Sequence, residues 1–185
     1  MVAKEYSVGI LETNSIALGI EAVDAMLKIA DVELIDAHPI CPGKYLVVLR
    51  GEVGSIEVAI AEGKKTAGST VVDTTIIPRI HNEVFVALAG AVPVDFLDAV
   101  GVLETFSCAC LIRSADAAVK EAEVTLVEAR LATGIGGKAF LVLTGKVGPV
   151  RDAMAAAEAE AKSAGLLHSS IVIPDPHPQL KRALF

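Results

Sequence analysis

Two tandem copies of one α+β module, each with its elements in the order β-α-β-β-α-β, is the fold class the sequence predicts. Three observations lead there. First, the 185-residue chain repeats itself: Val8-Gly9-Ile10-Leu11-Glu12-Thr13 returns 92 positions later as Val100-Gly101-Val102-Leu103-Glu104-Thr105. Self-similarity at a fixed spacing marks a duplicated unit. Second, short alternating apolar runs are separated by stretches of helical periodicity. Third, hydrophobic residues make up 53% of the chain, aromatics only 4%, and Trp is absent. Ala, Val, Ile and Leu therefore build the core, and wholesale disorder is excluded.

The repeat extends beyond one strand. Over residues 8–38, 15 of 31 positions are identical at an offset of 92, including Ser15/Ser107, Asp24/Asp116 and Lys28/Lys120. The offset then becomes 94, aligning Gly43-Lys44 with Gly137-Lys138, and ten of 25 positions agree over 43–67. A further slip of two matches Ile77-Pro78-Arg79-Ile80-His81 with Ile173-Pro174-Asp175-Pro176-His177. The expected domains are 1–92 and 93–185. The joint lies near Gly90–Asp98, where Pro93 and small residues mark a linker.

Element by element, Ser7–Glu12 reads as a short apolar strand. Asn14 or Ser15 caps the following helix. Along it Ile16, Ile20, Val23 and Leu27 form one apolar stripe, expected to face the core. Val32–Ile40 is a second strand. Cys41-Pro42-Gly43-Lys44 is a turn, since Pro presets φ and Gly accepts positive φ. Tyr45–Arg50 is the third strand. A second helix spans about Gly54–Ala67, with Ile56, Ala59, Ile60 and Gly63 inward, and Val71–Ile77 is the fourth strand. The second copy reads Val100–Glu104, Ser107–Ala122, Val124–Leu131, Lys138–Leu143, Pro149–Ala164 and Ser170–Ile173. This order is that of a ferredoxin-like split βαβ unit.

Composition narrows the function. With 16 basic and 23 acidic residues the formal charge is −7, whereas nucleic-acid binding needs a basic face. No apolar run reaches the length of a membrane span, and the start, MVAKEYSVGILETNS, lacks a signal peptide's apolar region. No nucleic-acid or membrane partner is expected. Three irregularly spaced Cys imply no disulfide framework and fit a reducing cytosol. The mean hydropathy of +0.58 is high for a chain without spans. Subunit interfaces are the expected destination for that surplus apolar surface. If one module closes into hexamers, a tandem chain closes into trimers with pseudo-sixfold symmetry.

No Ser/His/Asp set, H-E-x-x-H or C-x-x-C appears, so the chain is not read as an enzyme. Cys108 and Cys110 sit two apart at the start of a helix, where i and i+2 face different ways; they read as core. Gly134-Ile135-Gly136-Gly137 lies between two strands rather than opening a helix, so it is no dinucleotide fingerprint. His81 and His177 recur through duplication, and His38 reads as a surface histidine. Lys28 and Lys120, each in the last turn of a helix, suit its negative end as cations.

The repeated VGILET/VGVLET strand, the helix ends DAMLK/DAAVK, the turns CPGK/GIGGK and the tails IPRIH/IPDPH resemble the bacterial microcompartment shell domain, over nearly the whole chain and twice. The resemblance implies two tandem shell domains forming a pseudohexameric trimer, a flat tile in a polyhedral protein shell with pores along the tile axes. It implies partners in further copies of the chain, other shell proteins and a luminal redox enzyme. Beside their helix-end role, Lys28 and Lys120 would then make tile-edge contacts together with Arg79, with Asp175 breaking the match to Arg79 in the second copy.

Among tandem-domain members the chain is similar to those of propanediol-utilisation compartments. That similarity implies that Cys41 is a metal ligand, three copies holding one 4Fe–4S cluster at the threefold axis for electron transfer across the shell. Pro42, Gly43, Lys44, Gly134, Gly136 and Gly137 would line the pore. The second-copy turn, Thr133-Gly134-Ile135-Gly136-Gly137-Lys138, has no Cys. Clusters take Cys thiolates, normally four for a cubane, so three would leave one iron open to another donor. The residues alone leave three readings: a cluster-bearing tile, a purely structural tile with a metabolite pore, and a small-molecule-binding enzyme or regulator on a ferredoxin-like scaffold.

Overall fold

The structure, a computed structural model, describes residues 6–94 and 97–180. The chain divides into two compact units. One takes in the chain through Ile80 together with Ala132–Gly137; the other takes in His81–Leu131 and the chain from Lys138 on.

The first unit runs β1 (Ser7–Thr13), α1 (Ile16–Ile29), β2 (Glu33–Ile40), β3 (Lys44–Gly51), α2 (Val53–Ala67) and β4 (Val71–Ile77). Its strands form one antiparallel sheet in the order β2-β3-β1-β4. The second unit opens with α3 (Asn82–Ala89) and continues β5 (Ala99–Thr105), α4 (Cys108–Glu121), β6 (Thr125–Arg130), β7 (Ala139–Gly145), α5 (Val147–Ser163) and β8 (Leu167–Pro174). Its sheet order is β6-β7-β5-β8, again antiparallel. Both sheets are split βαβ arrangements with a strand inserted between two parallel neighbours.

The registers reproduce the sequence repeat. Ser7 stands opposite Gly51 as Ala99 stands opposite Gly145. Val8 stands opposite Ile77 as Val100 stands opposite Ile173. Offsets of 92, 94 and 96 are thus the same positions of one fold, and the bulge at Leu34/Asp36 returns at Leu126/Glu128.

Helix starts follow the sequence. The Ser15 hydroxyl accepts from the Leu18 N–H at 3.3 Å, and that of Ser107 accepts from the Cys110 N–H at 3.1 Å. Each satisfies a donor that has no partner inside the helix. The first core gathers Leu11, Met26, Tyr45, Val47, Leu49, Ile56, Ala59 and Ile60. The expected inward face of α2 is therefore correct, with Gly63 also buried.

Two expectations are corrected. Of the stripe Ile16, Ile20, Val23 and Leu27 on α1, Val23 is half-buried and packs against the core, whereas Ile16, Ile20 and Leu27 are exposed and Gly19, Ala22 and Met26 are buried. Apolar residues occur on both faces of this helix, and the small ones pack closest to the sheet. Just before the expected joint lies a helix that the sequence reading did not include. α3 packs on β6 and α4 and belongs to the second unit, not the first. Residues 95 and 96 of the joint lie outside the described residues.

Candidate metal and pore turn

Cys41 follows the last residue of β2 and is partly exposed. Pro42 and Gly43 beside it are exposed. Gly43 has a φ of +80°, and a Cβ there would meet nothing within 4 Å. The turn thus needs glycine for its backbone and leaves open space around it. Cys41 is the thiol this turn offers, since Cys108 and Cys110 are buried in α4.

The second-copy glycines pack with this turn inside the first unit. The Cys41 N–H donates to the Ala132 carbonyl at 3.0 Å. A Cβ on Gly137 would lie 2.6 Å from Pro42 Cδ and 3.1 Å from the Cys41 carbonyl. Gly137 is buried with a φ of +83°, so both the close approach and the dihedral demand glycine there. Gly134 and Gly136 also have positive φ, at 74° and 66°, but open space around them. Of the six expected lining residues, Gly137 is therefore a packing residue against Pro42. Sequence reasoning did not anticipate that role.

Lys44 turns away from the tip. Its Nζ donates to Glu12 Oε1 at 2.8 Å, and Glu12 is fully buried. The second copy repeats the pair, with Lys138 Nζ donating to Glu104 Oε2 at 2.5 Å. A buried carboxylate needs such a partner. The pair ties the start of β3 to the end of β1, and the Lys44 charge is committed to Glu12. His38 sits on β2 with Nδ1 3.0 Å from Asp36, away from the thiol's turn.

Among the described residues no three His, Cys, Asp or Glu side chains converge in a way that could hold a metal ion. One thiolate per chain fits a cluster only where several copies bring their Cys41 residues together. The donor chemistry is compatible, because a thiolate is the usual cluster ligand.

The expected edge residues lie on the surface. Lys28 and Lys120 each pair with an Asp one turn earlier, at Asp24 and Asp116, near a helix C-terminus. Arg79 is exposed, and its φ of +50° recurs at Asp175. His81 and His177 have a shared structural role. Each Nδ1 accepts the N–H two residues on, from Glu83 at 3.3 Å and from Gln179 at 3.2 Å. Among the described residues no helix is long and apolar enough to cross a membrane.

Comparison with known proteins agrees with this geometry. The BMC domain model matches twice, at residues 7–80 and 99–176. The chain is 47% identical to the bacterial microcompartment shell protein PduT of Citrobacter freundii, over 96% of this chain and 97% of that one. It is 34% identical to the carboxysome shell protein CcmK2 of Thermosynechococcus vestitus, which covers 51% of this chain and is itself covered to 92%, a single-module counterpart of the repeat. A microcompartment protein from Desulfitobacterium hafniense DCB superposes with a TM-score of 0.83 at 46% identity, covering 97% of this chain and 99% of that chain. Two matched domains, a full-length relative and a shared fold place this chain in the BMC-domain family of bacterial microcompartment shell proteins.

Proposed function

We propose that the protein is a homotrimeric tile of a propanediol-utilisation-type microcompartment shell, with one 4Fe–4S cluster held at the threefold axis by the Cys41 thiolates of three chains. The bound cluster would supply one-electron transfer across the shell. The observation that carries the reading is a partly exposed Cys41 in a turn with open space at Gly43. The similarity to PduT supports the choice of compartment. The chain's own contribution is positional. Gly137 and Ala132 hold the Cys41 turn from one side, and the Glu12–Lys44 pair anchors its far end. The role is structural rather than catalytic, and the partners are other shell proteins and a luminal redox enzyme.

Anaerobic purification with iron and sulfide assays and EPR tests this. The expected result is about four iron atoms per three chains and loss of that iron in Cys41→Ser. An iron-free trimer with an identical Cys41→Ser variant would overturn the cluster. The open space at Gly43, Gly134 and Gly136 then favours the second reading, a tile whose pore passes metabolites.

A further inference from the structure

The two copies differ in the connection between their second and third strands. In the first, Cys41, Pro42 and Gly43 alone join β2 to β3. Across the same connection the offset between the copies grows from 92 to 94, so the second copy carries two more residues there. The longer connection does not serve its own sheet. Ala132–Gly137 belongs to the first unit, although β6 and β7 on either side of it belong to the second.

The loop meets the first unit at the Cys41 turn. The Ala132 carbonyl accepts the Cys41 N–H at 3.0 Å, and Ala132 is fully buried. A Cβ on Gly137 would lie 2.6 Å from Pro42 Cδ, 3.1 Å from the Cys41 carbonyl and 3.4 Å from the Pro42 nitrogen. Between these two grips, Gly134 and Gly136 have open space around them. Ala132 also holds a φ of +25°, which is costly for a residue with a Cβ. Arg79 and Asp175 hold positive φ at equivalent positions of the two copies, but the equivalent of Ala132 is Ile40, an ordinary strand residue. Strain of this kind persists where surrounding contacts impose it, and the contact here is the one to Cys41.

The turn needs such support. A Cβ placed on Gly43 would meet nothing within 4 Å among the described residues, so that flank is unbraced within the chain. A thiolate that must converge with others on one point depends on a held backbone. Contacts that orient a ligand from outside the ligand set change metal affinity by about 10–100-fold. The bond to Ala132 has a second effect. It commits the Cys41 N–H to a carbonyl and withholds it from sulfur, and hydrogen bonds to sulfur help set a cluster's potential.

We propose that the Ala132–Gly137 loop is a clamp that fixes the place of the Cys41 thiol, with Ala132 and Gly137 as its positioning residues. What the thiol is held for rests on the cluster reading, whereas the clamp is a property of the chain itself.

The test compares full-length wild type with Gly137→Ala and Gly165→Ala. Both variants put a methyl at a positive φ, of 83° and 68°, but only at Gly137 does it meet the turn; at Gly165, between α5 and β8, the space is open. In iron-free protein, amide exchange at Cys41 should be at least about tenfold faster in Gly137→Ala and unchanged in Gly165→Ala. Maleimide labelling reports the fold, because Cys108 and Cys110 are buried and Cys41 is not. In anaerobically reconstituted protein, Gly137→Ala should lose iron to a chelator at least about tenfold faster, and its reduction potential should rise as the N–H is released. Unchanged exchange at Cys41 would overturn the clamp, with or without iron. Faster exchange with wild-type iron retention and potential would overturn its role toward the ligand. An iron-free wild type with faster exchange in Gly137→Ala would remove the cluster and uphold the clamp. If Gly137→Ala is labelled at Cys108 and Cys110, Ala132→Gly decides instead. It adds no atom and frees the +25° φ, so exchange at Cys41 should again quicken, and unchanged exchange would overturn the proposal.

Discussion

A methyl group is the smallest probe of the Cys41 turn. At Gly137 it would run into Pro42 and would also have to adopt a φ of +83°. Gly137→Ala should therefore cost the left-handed penalty of about 1–2 kcal/mol plus about 1–3 kcal/mol of overpacking. Gly136→Ala, with open space around it, should cost only the first. Parallel urea titrations of the two variants separate the contributions; equal losses would mean that the Pro42 contact is relaxed. The Glu12–Lys44 pair offers a second probe. Lys44→Met leaves a fully buried carboxylate without its cation and should destabilise by about 3 kcal/mol, read as a lower denaturation midpoint. Cys41 and the glycines were legible as a turn because Pro and Gly announce one. The partner of Cys41, 91 positions away at Ala132, was not, because a tertiary contact leaves no local periodicity.

Helices were legible in existence and less so in orientation. The α1 sequence puts Ile16, Ile20 and Leu27 on one side and Gly19, Ala22 and Met26 on the other. Both faces carry large apolar residues, and the close approach of Gly19 to Tyr45 and Thr13 selected the face that also holds Ala22 and Met26. α3 went unread for a different reason. It is capped by a histidine imidazole rather than by Ser, Thr, Asp or Asn, and it lies beside a Pro- and Gly-containing stretch that reads as a linker. Asn14 and Ser15 were both open as caps from sequence; the structure caps α1 with Ser15 and α4 with Ser107, and the two differ in a way only burial reveals. Ser15→Ala should cost about 1 kcal/mol. Ser107→Ala should approach about 2 kcal/mol, because Ser107 and Cys110 are buried and the freed N–H has no access to water. Thermal melts of the two variants should show the second falling further.

Across the whole molecule, duplication made the architecture readable: three offsets in the sequence became three matched strand registers. The inequality of the copies was not readable, since Ile20 and Ile112 are the same residue in the same pattern, yet Ile20 is exposed and Ile112 is buried. At this scale Lys28 separates folding from tiling. Its exposed pair with Asp24 is worth under about 0.5 kcal/mol, so Lys28→Ala should leave the melt nearly unchanged. If the lysine sits at a tile edge, the same variant should lose the flat sheets that concentrated wild-type protein is expected to show by electron microscopy. Sheets that persist would assign Lys28 to the helix terminus alone.

The hydrogen bond from Cys41 to Ala132 also has a consequence for biosynthesis. Although most of the first unit has been translated by residue 80, its cysteine turn has no seat until the polypeptide has grown past Gly137. The nascent amino-terminal half must wait, incompletely closed, for a loop translated with the carboxy-terminal half. Domain-by-domain folding during synthesis is thus interlocked here. A fragment cut at the repeat boundary would be an unfinished object rather than half of the protein.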